Sequence, residues 1–292
     1  MPSNVTELVD LLSLEEVEVG LYRGPQPRTS LQRTFGGQVL AQALVAAYRT
    51  VPERTCHSLN AYFLRPGAAD KPIIYDVEVL RDGSSFSSRR VVARQGGKNI
   101  FAMNCSFHEL EGGLDHSDRV PSGVAAPEDC PALFDVMAQR FGSSSPLWQE
   151  WDALEVRFAG DSGRSGIIEA GAHGAHMRVW VRTSDALPDD PRLHQAVLAY
   201  LSDMTLLSVS TVPHEVAFLS PQVQAASIDH AMWFHRPVRC DEWILYDQVS
   251  PSASQALGFS TGRLLQGGEL VASCSQEGLI RVVGKGIATP NV

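Results

Sequence analysis

The segment Gly258–Gly262, GFSTG, matches the G-x-S-x-G pattern that surrounds the nucleophilic serine of many esterases and lipases. If the pattern is functional, Ser260 attacks an ester carbonyl and forms a covalent intermediate. That geometry needs a strand before the serine, a sharp turn at the serine and a helix after it. The elements predicted around Ser260 therefore decide whether this interpretation holds.

Two histidine-containing segments offer other chemistry. Cys56 and His57 are adjacent, and such a pair can act as nucleophile and base. Neighbours on a strand point to opposite faces, so we expect no direct hydrogen bond between them, and His57 could instead line a substrate channel or be a satisfied core residue. His173 and His176 have metal-like spacing, but no third ligand lies nearby in the sequence, which favours loop histidines. The chain has no H-E-x-x-H motif, P-loop or dinucleotide fingerprint.

The composition is that of an ordinary globular protein, with 292 residues, 44% hydrophobic, 20% charged and a formal net charge of −9. An acidic chain is a poor general partner for nucleic acids and anionic membranes. The five cysteines are odd in number and form no C-x-x-C, which argues against a disulfide framework or structural zinc. The N-terminal segment lacks an apolar signal core, and no apolar run approaches the roughly 18 residues of a membrane span. We therefore predict a cytoplasmic protein whose partners include neither nucleic acid nor membrane.

The chain contains an internal repeat at an offset of 171 residues, which is the distance from Pro66 to Pro237. The register holds without a gap through the Gly-Gly pair at Gly96-Gly97, and recurring glycine turns alone would not keep the other matches in step. Repeats of this kind indicate one structural unit built twice. The matching segments are Arg65-Pro66 with Arg236-Pro237, Tyr75-Asp76 with Tyr246-Asp247, and Gln95-Gly96-Gly97 with Gln266-Gly267-Gly268.

Each repeat predicts four antiparallel strands in a meander. From Ile73 to Val79, apolar side chains recur at every second position, which is the period of a strand. Gly96-Gly97 and Gly267-Gly268 signal tight turns before the last strand of each repeat. The predicted strands are 57–64, 73–81, 85–95 and 98–108 in the first repeat, and 228–235, 242–252, 255–266 and 269–281 in the second.

A helix precedes the strands of each repeat. The segment GGQVLAQALVAAYRT, which begins at Gly36, is apolar nearly all round, as expected of a helix buried on most sides. In PDDPRLHQAVLAYLSDMTLL, Asp189 and Asp190 are candidate caps and Pro191 suits the first helical turn. The longer connection after this second helix predicts an insertion near 206–225. The predicted fold class is α+β, with two long helices that are each wrapped by a curved antiparallel sheet.

These elements define the predicted units and settle the interpretation of Ser260. The units are an N-terminal repeat, 1–112, a connecting segment, 113–150, with a short helix in ALFDVMAQRF, and a C-terminal repeat, 151–292. Ser260 falls inside a predicted strand, and the segment after it, RLLQGGELVAS, is a strand and a hairpin turn. Because no helix follows, the serine-hydrolase interpretation is rejected.

Motifs along nearly the whole chain, from Glu16 to Arg281, resemble the acyl-CoA thioesterase II family, the TesB type with a double hotdog fold. The resemblance implies hydrolysis of fatty acyl-CoA to a free fatty acid and CoA without a metal or organic cofactor. It also implies a homo-oligomer, a dimer or larger. The motifs are HSLNAYFLRPG, VLRDGSSFSSRRV, YLSDMTLL, SIDHAMWFHRP and SCSQEGLIR.

The resemblance implies a catalytic trio of Asp, Thr and Gln that holds and activates a water molecule. The Asp of YLSDMTLL is Asp203, and the Gln of SCSQEG is Gln276. Ser227 occupies the position of the family's Thr, so the hydroxyl is kept but the methyl group that stiffens χ1 is lost. At an offset of 171 residues, Cys56 and Cys105 stand in place of Ser227 and Gln276. We therefore expect one active centre, built mainly by the second repeat.

General-base chemistry at Asp203 is also expected from its surroundings. The carboxyl lies in an otherwise apolar segment towards the end of the second helix, where burial and the helix dipole both disfavour its charged form. Its basicity would rise towards that of a useful base, and a thioester is activated enough for water to attack. His57 and Arg65 are further candidates for substrate binding. The basic run Arg65, Arg81, Arg89, Arg90 and Arg94 could face an anionic part of the ligand or be ordinary strand-surface charge.

Two other functions stay open at this point. A non-catalytic acyl-CoA-binding protein of the same fold is compatible with the change at Ser227. An enoyl-CoA hydratase of the same fold is less well supported, because the Asp and His motif of such hydratases is not found. Release of free thiol from acyl-CoA separates a thioesterase from the binding protein.

Overall fold

The helices of the chain are confirmed where the apolar patterns predicted them. The computed structural model describes residues 1–51, 53–141, 150–163, 168, 174–214, 216–218, 220 and 222–282. In these residues the α-helices are α1 Val5–Leu12, α2 Gly36–Tyr48, α3 Leu133–Phe141 and α4 Pro191–Ser202. Segments of 3₁₀ helix cover Pro127–Asp129 and Leu206–His214.

The described strands form one antiparallel sheet of 13 strands. They are β1 Glu15–Glu18, β2 Leu21–Gly24, β3 Thr55–Phe63, β4 Ile73–Asp82, β5 Phe86–Gln95, β6 Lys98–His108, β7 Leu154–Asp161, β8 Ala175–Thr183, β9 Val223–Ser227, β10 Asp229–Phe234, β11 Ile244–Ser254, β12 Leu257–Gln266 and β13 Glu269–Val282. Their order is β1-β2-β4-β5-β6-β3-β10-β13-β12-β11-β8-β7, with β9 paired to β13. The two repeats are joined through β3 and β10, which pair from Asp229 opposite Tyr62 to Trp233 opposite Ser58.

Strand pairing confirms the internal repeat. Residue pairs that face each other in the first repeat recur in the second at the same offset of 171 positions. The alignment of the sequence with itself therefore has a structural basis, because both halves use one strand register. The recurring pairs are Arg89–Cys105 with Ser260–Gln276, and Cys56–Phe107 with Ser227–Gly278.

The predicted tight turns are also confirmed. Gly96 and Gly97 have φ values of 56° and 76°, and Gly267 and Gly268 have values of 60° and 93°. Two consecutive residues with positive φ make the two-residue hairpin turn whose twist matches the flanking strands, and glycine adopts that conformation without steric cost.

α2 and α4 pack against each other and form the interior of the protein. In α2 the residues from Gly37 to Tyr48 are buried, with Val45 partly exposed, as the all-round apolar pattern predicted. The Tyr48 hydroxyl at the end of α2 donates to Gln195 Oε1 near the start of α4, while the start of α2 meets the end of α4. The two helices therefore run antiparallel, and the N-terminus of each lies next to the C-terminus of the other.

The start and length of α4 are set by local sequence. Asp190 is the N-cap, and its Oδ1 accepts from the Arg192 N–H at 2.9 Å, with Pro191 in the first turn as predicted. The helical stretch Pro191–His214 has 24 residues and, contrary to the sequence-based expectation, is long and apolar enough to cross a membrane by composition. Its most apolar window is 78% buried inside the protein, which is typical of a core helix.

Several elements were not predicted. β1, β2, β7 and β8 extend the sheet beyond the predicted strands, and α1 packs on the core. The predicted four-strand meander is wrong for the first strand of each repeat. β3 pairs with β6, and β10 pairs with β13, so that β3 and β10 can meet and join the two repeats, and only the other three strands of each repeat form a meander. The insertion predicted near 206–225 contains the 3₁₀ helix Leu206–His214 and the start of β9. Val79 is 54% exposed although it belongs to an apolar alternation, because from Glu78 onward the end of β4 is exposed at every position.

The connecting segment packs mainly on the second repeat. Arg119 forms an isolated bridge with Glu269, and the Trp180 indole N–H donates to Ala125 O at 2.9 Å. α3 corresponds to the predicted short helix. Arg140 of α3 forms an ion pair with the buried Asp161 of β7 and stacks over the Phe158 ring at 4.8 Å. The unit boundaries 1–112, 113–150 and 151–292 stay a prediction.

Candidate active site

Asp203 lies at the point where α4 ends. It is the C-cap residue of that helix, and its side chain is only 4% exposed. Helix C-termini carry partial negative charge, so this position disfavours a carboxylate. The sequence-based expectation for the location of Asp203 is therefore met.

Ser227 and Gln276 both contact the Asp203 carboxylate. Asp203 Oδ1 accepts a hydrogen bond from Ser227 Oγ at 3.2 Å and another from Gln276 Nε2. Gln276 Nε2 also lies 2.9 Å from Ser227 Oγ. The three side chains come from the end of α4, the end of β9 and the middle of β13, and they form one closed hydrogen-bonded group.

The N-terminus of α2 completes the surroundings of Asp203. The backbone N–H of Gly37 donates to the Asp203 carboxylate, and Phe35, the N-cap residue, provides no side-chain cap. A Cβ atom on Gly36 would lie 2.6 Å from Asp203 Oδ2, and one on Gly37 would lie 2.3 Å from Tyr200 O. Glycine at both positions therefore permits the close approach of the two helix termini.

Opposing effects set the pKa of Asp203. Burial raises the pKa and the hydrogen bonds from Gln276, Ser227 and the Gly37 N–H lower it, with a net rise from 3.8 to about 6. Burial is the larger effect because it removes the carboxylate from water. A carboxyl with a pKa near 6 is ionised at neutral pH and is still a much better proton acceptor than an exposed aspartate.

A cavity of about 900 Å³ opens beside Asp203 and Ser227. Its walls come from both repeats and from α3 of the connecting segment, and Gly36 is part of its surface. Among the described residues that line it, Arg33 and Arg65 are the cationic ones. Apolar side chains of the lining include Phe35, Phe63, Leu133, Met137, Trp151 and Met204.

The other sequence-based candidates lie outside the Asp203 group. His57 is not among the residues that line the cavity, and its Nε2 lies 2.9 Å from Ser106 Oγ. Cys56 is buried, its Sγ contacts Ser58 O at 3.3 Å, and burial raises the pKa of its thiol well above the ordinary value. As expected from strand geometry, no hydrogen bond joins Cys56 to His57 in the described part of the chain.

Ser260 lies in the middle of β12, and the Gly267-Gly268 hairpin follows that strand, so the rejection of a nucleophile elbow is confirmed. Its side chain is fully buried, with Oγ 3.1 Å from Ser210 Oγ. The flanking glycines make room for other groups. A Cβ on Gly258 would lie 2.7 Å from Ser210 Oγ, and one on Gly262 would lie 2.4 Å from the Tyr246 ring.

The basic run does not form a single surface. Arg65 lines the cavity, is exposed and donates to Asn99 O at 2.8 Å. Arg89 is 2% exposed and bonds Thr50 and Asp82, so it is a buried structural residue. Arg94 forms a surface ion pair with Asp76.

Of the two histidines with metal-like spacing, His176 has a described environment and His173 does not. His176 Nε2 lies 2.6 Å from Asp247 Oδ1, in an ion-pair network, and His173 lies outside the described residues. No group of three His, Cys, Asp or Glu side chains that could hold a metal ion is found among the residues described.

Gly36 and Gly37 belong to the site, whereas the sequence pattern predicts only that they begin a helix. The signal that could have found them is a glycine pair opening an otherwise strongly apolar helix, since glycine lowers helix stability unless a backbone must approach closely. The contact itself joins α2 to α4 across the two repeats, which no local pattern contains.

Comparisons with known proteins agree with this architecture. Residues 151–279 match the family described as Acyl-CoA thioesterase, and residues 25–108 match the Acyl-CoA thioesterase N-terminal domain. The chain is 37% identical over 290 residues to Acyl-CoA thioesterase 2 of Haemophilus influenzae, covering 96% of this chain and 99% of that protein.

Two solved structures are similar over almost their full length. An acyl-CoA thioesterase II, TesB2, from Mycobacterium marinum has a TM-score of 0.81 and 43% identity, covering 94% of this chain and 98% of that chain. A hot dog fold protein from Alicyclobacillus acidocaldarius has a TM-score of 0.73 and 20% identity, covering 94% and 98%. The second likeness concerns the fold alone and agrees with the predicted α+β class. The chain therefore belongs to the acyl-CoA thioesterase II family, the TesB type with a double hotdog fold.

Proposed function

We propose that the protein hydrolyses fatty acyl-CoA thioesters to free fatty acid and CoA by direct attack of a water molecule. Asp203 is the general base, and Ser227 and Gln276 hold the water. The observation that carries the proposal is the hydrogen-bonded group of these three side chains, in which Asp203 and Ser227 line a large, mostly apolar cavity and Gln276 lies buried behind them.

Two side-chain acceptors, on Gln276 and Asp203, are available to bind a water molecule. Gln276 Oε1 is buried and has no hydrogen-bond partner in the described part of the chain. A buried amide oxygen without a partner is costly, and a water that donates to it would remove that cost. With Asp203 as the second acceptor, both protons of one water have a partner and a lone pair is left for the thioester carbon. Ser227 helps to hold the water because its hydroxyl bonds both Asp203 and Gln276 and fixes the two acceptors.

The reaction balances without another reagent. Water gives one proton to Asp203 while its oxygen bonds to the thioester carbon and the carbonyl π electrons move to oxygen. When the tetrahedral intermediate collapses, the C–S bond breaks, the sulfur leaves with the bonding electrons and the proton on Asp203 passes to it. The carboxylate is then ready for another turnover.

The start of α2 supports stabilisation of the oxyanion. The first N–H groups of a helix have no partner within the helix and lie at the positive end of its dipole. Gly36 contributes to the cavity surface next to Asp203 Oδ2. We assign its backbone N–H to the developing oxyanion, since preorganised donors at that position are among the largest contributions to catalysis.

The apolar part and the positively charged part of the cavity wall bind different parts of the substrate. The fatty acyl chain packs on the aromatic and methionine side chains contributed by the N-cap of α2, by β3 and α3 and by the second repeat, where apolar area is removed from water. Arg33 and Arg65 are exposed at the cavity and provide positive charge for the anionic CoA moiety. His57 is left out of the proposed substrate site because it does not line the cavity.

Asp203→Asn tests the proposal. The substitution is nearly isosteric, but the amide cannot accept the proton, so kcat should fall about 10²- to 10⁴-fold while acyl-CoA still binds. Free thiol release measures turnover, and calorimetry measures binding. A wild-type protein that binds acyl-CoA without releasing thiol would instead support the non-catalytic binding function.

A matched control, an isotope experiment and a search for an acyl adduct test direct attack of water; the isotope detects attack by the Asp203 carboxylate itself, and the adduct search detects an acyl-serine or acyl-cysteine. Cys56→Ala together with Cys105→Ala changes the positions in the first repeat that correspond to Ser227 and Gln276, and activity should persist. A single turnover in ¹⁸O-water should place the label in the fatty acid, and quenched enzyme should carry no acyl group. An adduct on Cys56 or Ser260, or normal turnover by Asp203→Asn, contradicts the mechanism.

A further inference from the structure

His230 is a fully buried histidine beside the proposed base. It lies in β10, and its Nε2 atom is 2.9 Å from Ser202 Oγ. Ser202 Oγ is in turn 2.9 Å from Ala199 O. Its Nδ1 atom is 4.0 Å from Asp203 Oδ1 and has no hydrogen-bond partner in the described part of the chain.

The hydrogen bonds of Ser202 define the tautomer of this histidine. A carbonyl oxygen can only accept, so we assign the Ser202 hydroxyl proton to Ala199 O. Ser202 Oγ must then accept from His230, which places the imidazole proton on Nε2. Burial lowers the pKa of His230 to about 4, so the ring is neutral near pH 7. The Nδ1 lone pair consequently faces the Asp203 carboxyl.

The other groups around Asp203 are neutral. The Tyr246 hydroxyl donates to Ser202 O at 2.7 Å and contacts Cys274 Sγ at 3.1 Å, and burial raises the pKa of both groups, that of Cys274 to about 12. No Arg or Lys of the described residues forms an ion pair with Asp203. α2 contributes the Gly37 N–H, and β9 and β13 contribute Ser227 and Gln276.

We propose that His230 is a positioning residue that stabilises the protonated form of Asp203 through the lone pair of Nδ1. A lone pair beside a carboxylate disfavours the ionised form, and it becomes a hydrogen-bond acceptor once Asp203 carries a proton. A small approach closes the 4.0 Å separation. This inference rests on the proposed role of Asp203, because the acid form is produced when the water is deprotonated.

The first repeat provides an internal comparison. Leu59 stands 171 positions before His230, as Cys56 and Cys105 stand before Ser227 and Gln276. The histidine is thus present only in the repeat that contains Asp203. An imidazole needed merely to fill the sheet interior could be replaced by leucine, as the first repeat does.

His230→Leu and His230→Asn separate positioning from packing. Leucine removes the acceptor, so kcat should fall roughly two- to tenfold, the effect of losing one hydrogen bond. The acid limb of the pH profile of kcat/KM should also move to lower pH, because the pKa of Asp203 falls when a group that disfavours its charged form is removed. Asparagine can place its Oδ1 atom where Nδ1 stands and should restore the limb. His194→Leu, a buried histidine at the other end of α4, is the matched control and should leave the limb in place.

Two outcomes overturn the proposal. In the first, the acid limb of the kcat/KM pH profile of His230→Leu stays in place or moves to higher pH. In the second, His230→Leu and His230→Asn have identical pH profiles. A fall in kcat without a shift of the limb indicates a structural role only. Circular dichroism establishes that each variant is folded.

Nitrogen NMR gives a readout that does not depend on turnover. In ¹⁵N-histidine-labelled protein at pH 8, His230 should carry its proton on Nε2. Its Nδ1 resonance should shift as the pH falls through about 6, the pKa of Asp203, and Asp203→Asn should abolish that shift. A proton found on Nδ1 contradicts the inference even if the enzyme is active. If the wild type hydrolyses no acyl-CoA but the resonance behaves as expected, the proposed function fails while the His230–Asp203 coupling stands.

Discussion

Ser260 lies directly opposite Gln276 in the ladder between β12 and β13, and both side chains are fully buried, yet only Gln276 contacts Asp203. Cross-strand partners point to the same face of a sheet, so the difference comes from side-chain length and from what each group meets. The shorter Ser260 side chain meets the hydroxyl of Ser210 instead.

Ser260→Ala should leave thioester hydrolysis within a few-fold of wild type. The substitution removes one buried hydroxyl, and Ser210 keeps its hydrogen bond to Ser250 at 2.9 Å, so the loss of stability should be about 1 kcal/mol. Thiol release and denaturant unfolding measure the two effects. Complete loss of turnover in a folded variant would restore the serine nucleophile.

Ser227→Ala should lower kcat by about tenfold or more, because it removes a hydrogen bond to the charged base and the partner of Gln276 Nε2. Ser227→Thr should keep or raise activity, since the hydroxyl remains and the added methyl group restricts χ1. Ser227→Ala differs from wild type only by loss of the hydroxyl, and Ser227→Thr only by the added methyl group. Equal activity of Ser227→Ala and wild type contradicts the assigned role.

The buried carboxylate of Asp203 should lower the free energy of unfolding at neutral pH. Its pKa in the folded protein, about 6, lies above the ordinary 3.8, so the folded state binds the proton more tightly than the unfolded state. The stability from this group is present below pH 4 and is lost as pH rises through about 6. The loss at pH 7.5 is about 3 kcal/mol, and at pH 4.5 about a third of that.

Denaturant unfolding of wild type and Asp203→Asn at several pH values measures this effect. Because asparagine does not titrate, the variant should gain stability relative to wild type as the pH rises from 4.5 to 7.5. A difference between the two proteins that is independent of pH would mean that Asp203 is not buried as a high-pKa carboxyl in solution.

Met137→Trp should change the preferred acyl length. Met137 of α3 lines the cavity, and the larger ring should fill space that a long acyl chain occupies. kcat/KM should fall more for long-chain than for short-chain acyl-CoA. Gln139→Trp adds the same ring on the exposed side of α3 and should leave kcat/KM unchanged for both long-chain and short-chain acyl-CoA. An unchanged ratio of the two rates in Met137→Trp places the acyl chain elsewhere.

The repeated architecture could be read from the sequence because it is expressed locally. Alternation from Ile73, the glycine pair at Gly96-Gly97 and the all-round apolar α2 each predict an element from neighbouring residues. The bounds of the eight predicted strands were close to those observed, but the meander order was wrong for the first strand of each repeat, because its pairing joins the two repeats and is not local. β1, β2, β7, β8 and β9 were not predicted. The oligomeric state and the cellular location stay predictions.

The candidate trio was identified from motifs, while its geometry arises only in the tertiary structure. Asp203, Ser227 and Gln276 lie on three elements, and nothing local in the sequence states that Gln276 Nε2 contacts both of the others. The contact of Gly37 with Asp203 joins the two repeats and depends on the antiparallel packing of α2 and α4. Sequence determines which residues are apolar, capped or turned, because those preferences are local. Packing decides which polar groups lose their water together, and that loss raises the pKa of Asp203 and leaves the Nδ1 atom of His230 facing it.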